Sequence, residues 1–359
     1  MGNTKYTYAV ARIRALEVAL FSDAVIEQLL SCKTAAEALQ FVVEKGWGDM
    51  ADQDDPDVVL RREEEKTWEV IKEVAPDASV FNVLSYPKLY HNLKAAIKEV
   101  CTEARNPNIF YDDCPIPGEE MLRIVENREF SRLPSHMGNV AQEALETLLQ
   151  TRDGQLCDIM IDKAALEAIR KAGKESGEPI IENYADTMVA IADIKIAVRS
   201  RKTGKSADFM RSAMAECDGV NVEQLIRAAL AGEDEIAQYL EGTAYAKGAQ
   251  ALRESASAFE RWCDNRMIEM LKPQKYEAFS VGPLLGYLIA RETEIKTVRI
   301  ILTGKQQYNT YIERIDDVVD ALCNEITRLE NENMQLSWDV LHIGSLINSL
   351  VNEIRTLCN

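Results

Sequence analysis

Apolar residues recur at intervals of three and four along almost the whole chain. Between Tyr6 and Leu30 they fall at Val10, Ile13, Leu16, Ala19, Leu20 and Ile26, the spacing that lines one face of a helix. Residues 58–74 predict a strongly charged helix with Arg-Glu-Glu-Glu-Lys at its centre. Strict alternation, the mark of a half-buried strand, is scarce at useful length. Polar or Pro/Gly-bearing breaks fall at residues 52–56, 106–118, 173–179, 202–205 and 271–274, where helical periodicity is interrupted. The stretch 105–119, RNPNIFYDDCPIPGE, is the clearest boundary. The pattern predicts an all-α protein.

The stretch 280–305 organises the rest. Pro283 suits a first helical turn, where its missing N–H has no intrahelical partner to lose. Gly304 suits a stop, because a glycine just past the last turn adopts the left-handed conformation freely. About 20 residues between them predict a helix of roughly 30 Å. Leu285, Leu288, Ile295 and Leu302 share one stripe with Glu292 and Arg299. Two ions on an apolar stripe need partners, either on other helices or on another protein.

That helix closes a set of three. Asn92-Leu93-Lys94, Asp193-Ile194-Lys195 and Glu294-Ile295-Lys296 stand 101 residues apart both times, and the last two helices share Thr-Gly-Lys at 203–205 and 303–305. Equal spacing and a shared ending predict three similar helical lobes of about a hundred residues: 1–115, 116–213 and 214–306, followed by a separate segment, 307–359.

At 359 residues the chain exceeds one ordinary core. Its 59 acidic against 41 basic residues give a net charge of −18. Such a chain is not built for nonspecific contact with nucleic acid or anionic lipid, both of which need positive surface. Solubility and attraction to a basic partner remain. Eight cysteines without a Cys-x-x-Cys pair, beside only three histidines, argue for reduced thiols in a cytosolic protein and against a zinc site or other cofactor. The first residues lack an apolar core of signal-peptide length. The longest apolar runs fall far short of the ~20 residues that span a bilayer.

Motifs that look like chemistry dissolve on reading. Gly204-Lys205-Ser206 resembles the end of a phosphate-binding loop, but Arg199 stands where the earlier glycine is required, and no strand precedes it; the helix-stop reading takes its place. His91 has no nucleophile at a strained turn beside it and reads as structural. Asp158 and Asp162 share a helix face, with no third metal ligand near, and read as caps or ion-pair partners. Tyr6, Arg12 and Arg14 open the first helix with a basic, aromatic face. No catalytic constellation survives.

The words of the repeat resemble a known family. The pieces YTYAVARIRALE (6–17), YHNLKAAIKEV (90–100), DIMIDKAALEAIRK (158–171), ENYADTMVAIADIKIAVRSRKTGKSADFMRSAM (182–214) and GPLLGYLIARETEIKTVRIILTGK (282–305) resemble the C subunit of bacterial and archaeal V/A-type rotary ATPases, relatives of the d subunit of the eukaryotic V-type enzyme. The resemblance implies an all-helical funnel of three similar lobes with pseudo-threefold character. It implies a non-catalytic adaptor that seats on the cytoplasmic face of the membrane rotor ring, receives the end of the central shaft (subunits D and F), and passes torque between ATP chemistry and ion movement. Under that reading Arg12, Arg14, Lys94, Lys195, Arg199, Glu292, Lys296 and Arg299 hold lobes together or line the partner surface; pairing within a lobe is the plainer alternative for each.

Past the third lobe the chain departs from that family, whose members finish soon after the Gly-Lys. Ile312, Val319, Ile326, Asn333, Val340, Ile347 and Ile354 are seven apart. So are Ile315, Leu322, Leu329, Leu336, Ile343, Leu350 and Leu357, offset by three. β-Branched residues at a, leucine mainly at d and one asparagine at a favour a parallel two-stranded coiled coil. The segment 312–357 leaves three outcomes: self-association, another coiled-coil partner, or packing back on the body. The alternative function, in another class, is a helical scaffold that dimerises through this segment.

Overall fold

The computed structural model describes residues 5–48, 55–102, 109–111 and 113–332, with side chains through residue 307. Fifteen α-helices and no strand stand among them. They are α1 Thr7–Glu17, α2 Asp23–Ser31, α3 Ala35–Glu44, α4 Pro56–Val74, α5 Tyr86–Thr102, α6 Gly118–Glu126, α7 Gly138–Thr151, α8 Gly154–Glu175, α9 Pro179–Thr203, α10 Ala207–Ala213, α11 Val222–Ala231, α12 Glu233–Glu241, α13 Ala246–Glu254, α14 Ala256–Leu271 and α15 Gly282–Glu332. Three short 3-10 stretches, Ala78–Ser85, Phe130–Arg132 and Lys272–Tyr276, link them. The all-α expectation holds.

Local chemistry sets the ends. Asp153, Asn221 and Ser255 accept first-turn N–H groups and so cap α8, α11 and α14. Pro179 occupies the first turn of α9. Gly204 ends α9 at φ +65°, and the Lys205 N–H closes on the Ser200 carbonyl at 2.9 Å, a Schellman-type stop. Ser206 then caps α10 through the Phe209 N–H.

Two expectations are corrected. The periodic stretch from Tyr6 to Leu30 is two helices: α1 ends at Glu17, and after a five-residue link whose last residue, Ser22, is extended, Asp23 opens α2. Apolar residues at Val18, Ala19 and Leu20 keep the spacing through the link, so periodicity does not register the break. The helix that opens near Pro283 does not stop at Gly304: α15 runs on to Glu332, 51 residues in all. A lone interior glycine costs about 1 kcal/mol relative to alanine. Nothing after Gly304 forces a turn, and the heptad pattern carries the helix forward.

The chain divides into two compact units, each drawn from separate stretches: Met1–Leu20 with Glu64–Thr293, and Phe21–Glu63 with Glu294–Asn359. The first holds two cores. One gathers Leu93, Ile97, Met121, Leu145 and Ile161 from α5 to α8. The other gathers Tyr6, Phe81, Ile194, Leu225, Leu240 and Leu285. Helix α8 lies against α9 so closely that a Cβ on Gly173 would sit 2.4 Å from the Ala185 Cβ. The second unit has its own core of Leu29, Val42, Leu60, Ile295, Val298 and Leu302. The stripe of Leu285, Leu288, Ile295 and Leu302 is buried throughout.

Candidate functional site

Among the polar residues that helices α5, α9 and α15 bury, one recurs at the same place, the first residue of the repeated triplet. Asn92 and Asp193 are fully buried and Glu294 nearly so. Each accepts a backbone N–H from a connecting segment. The Asn92 Oδ1 takes the Tyr111 N–H at 2.8 Å, the Asp193 Oδ1 takes the Ala215 N–H at 3.1 Å, and the Glu294 Oε1 takes the Phe21 N–H. Those segments lead into α6, α11 and α2 respectively. A buried acceptor for an otherwise orphaned backbone donor fixes where each connection leaves its helix.

The three side chains differ in how fully they are used. The Asn92 amide also donates to the Tyr111 carbonyl at 2.7 Å and the Ile116 carbonyl at 3.3 Å. Asp193 keeps one carboxylate oxygen buried without a partner. Its removal from water, only partly offset by the Ala215 N–H, pushes its carboxyl up to about 8, since burial disfavours the charged form.

The sequence points instead to the third residue of each triplet. Lys94 pairs with Asp162 at 2.7 Å, and Lys195 pairs with Glu260 at 2.8 Å and Asp264 at 3.9 Å. Lys296 is exposed. Arg199 meets Glu260 at 3.2 Å with most of its side chain exposed. Arg299 meets Asp57 at 2.7 Å. Arg14 pairs with Glu17 and donates to the carbonyls of Gln274 and Lys275, tying α1 to the segment before α15. Arg12 is exposed on α1. Glu292 is exposed, and its charge reaches Lys88 and Tyr184. These eight residues are spread over both units.

The residues weighed for chemistry take structural roles. Asp158 pairs with Lys98 at 2.7 Å, as Asp162 does with Lys94. The His91 ring meets the Ile109 carbonyl at 2.8 Å. The Lys205 ammonium lies over the Phe209 ring and bonds Gln155. An open cleft of about 570 Å³ between α8 and the α10–α11 region carries Lys163, Arg170, Lys174 and Arg211 beside Glu216 and Glu223. Its cations are already engaged: Arg170 with Asp218, Arg211 with Glu223, Lys163 with the Arg211 carbonyl.

Sequence reasoning passes over Asn92, Asp193 and Glu294 as acceptors and the Tyr6–Glu178 hydrogen bond of 2.7 Å. A signal for the first three is present. Asn92 follows Leu89 by three and precedes Ala96 by four, so a polar residue sits in the apolar phase of its helix. Tyr6 gives no such signal, because Glu178 lies 172 residues away.

Comparison with known proteins bears on this arrangement. The family model described as ATP synthase (C/AC39) subunit matches residues 9–315. The chain is similar to the C subunit of the A-type ATP synthase of Methanocaldococcus jannaschii, 25% identical over 84% of this chain and 82% of that protein. It is similar to the C subunit of the V-type sodium ATPase of Enterococcus hirae, 22% identical over 82% and 92%, and to the C subunit of the V-type ATP synthase of Thermus thermophilus, 23% identical over 84% and 94%. A second model, described as YwqH-like, matches residues 290–352, most of which follow the family's Gly-Lys.

Proposed function

The chain belongs to the ATP synthase (C/AC39) subunit family, and on that premise we propose that it is the non-catalytic central-stalk subunit of a V/A-type rotary ATPase. In this reading it receives the end of the D–F shaft, seats on the membrane rotor ring from the cytoplasmic side, and carries torque between ATP chemistry and ion movement. It binds no cofactor. No helix among the described residues is long and apolar enough to cross a membrane.

The observation that carries the proposal is the recurrence of one bond at a 101-residue interval, from Asn92, Asp193 and Glu294 to the start of a helical cluster. A part that sits on a round ring and turns with a shaft needs similar, stiff units repeated about an axis. We read three lobes built on α5, α9 and α15, the third taking its other helices from residues 21–63. Stiffness follows from buried, directional bonds, which resist small displacements more steeply than apolar contact does.

The exposed partner candidates are Arg12, Arg199, Glu292 and Lys296, with Lys94, Lys195, Arg14 and Arg299 at lobe surfaces. The test is binding of the full chain to purified D–F and, separately, to detergent-solubilised rotor ring. Stoichiometric binding to both is expected. Lys94→Glu, Lys195→Glu and Lys296→Glu together should weaken the D–F complex at least tenfold while leaving the chain folded. Retained binding would remove those residues from the interface. Failure of the unmodified chain to bind either partner would overturn the proposal.

A further inference from the structure

The segment that follows Lys305 has no part in the function proposed above. Near the end of its described side chains α15 is anchored by Lys305, whose ammonium bonds the carbonyls of Leu30 and Cys32. The helix continues 27 residues beyond it, to Glu332, a further ~40 Å. Six a and d positions, from Ile312 to Leu329, therefore lie along one unbroken helix. In sequence the same register continues to Leu357. A strict seven-residue period kept over this many turns matches a supercoiled partner helix, since the apolar stripe of a straight helix drifts by about 20° per heptad.

The flanking positions say what kind of helix that is. The e and g sites carry Asp316, Glu325, Glu330, Glu332, Asp339 and Glu353, and no lysine or arginine. In a parallel homodimer Glu325 of one chain faces Glu330 of the other. In an antiparallel homodimer e meets e and g meets g, which again sets carboxylates only against carboxylates or neutral residues. Like charges at these sites destabilise, and opposite charges select the partner. Packing back on the body meets the same obstacle. Residues 308–359 carry nine acidic and three basic groups, and the other 307 carry 50 and 38, so both parts are negative.

We propose that α15 beyond Lys305, as far as Glu332, is a docking helix for a different protein: a parallel coiled-coil strand with apolar a and d positions and lysine or arginine at e and g.

The test uses the full chain at pH 7.5 and two synthetic peptides of five heptads. Both have isoleucine at a, leucine at d and one asparagine at a; one has lysine at every e and g, the other glutamate. Sedimentation should show the chain alone as a monomer at 10 µM, on the order of the concentrations where such coils assemble. The lysine peptide should bind one to one, and raising salt from 20 to 500 mM should weaken it at least tenfold. The glutamate peptide should bind at least tenfold more weakly. Glu325→Lys, Glu330→Lys and Glu332→Lys together should remove that preference, leaving three lysines against Asp316, Asp339 and Glu353. Leu322→Asp with Leu329→Asp should abolish binding, which separates a coiled coil from plain attraction between a basic peptide and an acidic protein. A stable homodimer, equal binding of the two peptides, no binding at all, or binding that survives the leucine changes would each overturn the proposal. None of these outcomes depends on D–F or the rotor ring, so this inference and the rotor reading stand or fall separately.

Discussion

Replacing Asp193 with asparagine isolates what a buried carboxyl costs this fold. In the folded chain burial lifts Asp193 from 3.8 to about 8, so between those values it holds a proton that it gives up on unfolding. More protons bound in the folded state mean that stability falls as pH rises. The contribution is full below pH 3.8 and has gone by about pH 8. At 1.36 kcal/mol per pKa unit, a rise of about four units amounts to roughly 6 kcal/mol across the whole window. An asparagine side chain at this position would keep the carbonyl oxygen that accepts the Ala215 N–H and would put an amide where the unpartnered oxygen stands, as Asn92 already does in the first copy. Urea unfolding of Asp193→Asn and the parent chain, from pH 5 to 7.5, should give curves that diverge. The variant should gain about 3 kcal/mol on the parent over that span, at up to about 1.4 kcal/mol per pH unit. Two curves that stay parallel would refute the account, because they would mean that Asp193 ionises in the folded state as readily as in water.

Three further changes probe the same scaffold. Asn92→Ala leaves the Tyr111 N–H and the Tyr111 and Ile116 carbonyls without their buried partner; a loss of about 3 kcal/mol or more should appear in urea unfolding, with faster hydrogen exchange at Tyr111. Gly173→Ala places a Cβ 2.4 Å from that of Ala185, and overpacking of about 1–3 kcal/mol should outweigh the helix-propensity gain of ~1 kcal/mol, with Ala185→Gly restoring the melting temperature. The two Thr-Gly-Lys sequences should respond with opposite signs: Gly204→Ala loses about 1 kcal/mol because φ there is +65°, whereas Gly304→Ala gains up to about 1 kcal/mol in mid-helix, where no atom lies within 4 Å of the new Cβ. Thermal denaturation of each single variant reads this directly.

Those two glycines show what was legible in the sequence and what was not. Periodicity carries burial, so the helical class and the stripe of Leu285, Leu288, Ile295 and Leu302 could be read directly. Identical words, Thr-Gly-Lys, do not carry the conformation, which depends on the residues after them. Ser206 offers the chain a cap for a new helix after Gly204. After Gly304 the chain offers Lys-Gln-Gln and then a heptad, and the helix simply proceeds. The lysines of the repeat were visible because charge is conspicuous. The acceptors were harder to see because asparagine, aspartate and glutamate look like three different residues until their common partner, a backbone N–H, is known.

The same contrast explains why the third copy finds its partner at the other end of the chain. After Asn92 and Asp193 the helix stops within about ten residues, and the chain returns 19 and 22 residues downstream to supply Tyr111 and Ala215. After Glu294 the corresponding positions, near 313–316, are still inside α15 and already in heptad register. Every backbone N–H there is committed to the helix ladder, so none can reach back to Glu294. The buried carboxylate still requires a donor, and Phe21, at the start of the segment that leads into α2, provides it. The extension of α15 to Glu332 and the service of Glu294 by Phe21 are therefore two results of one feature: after Gly304 the sequence contains nothing that turns the chain.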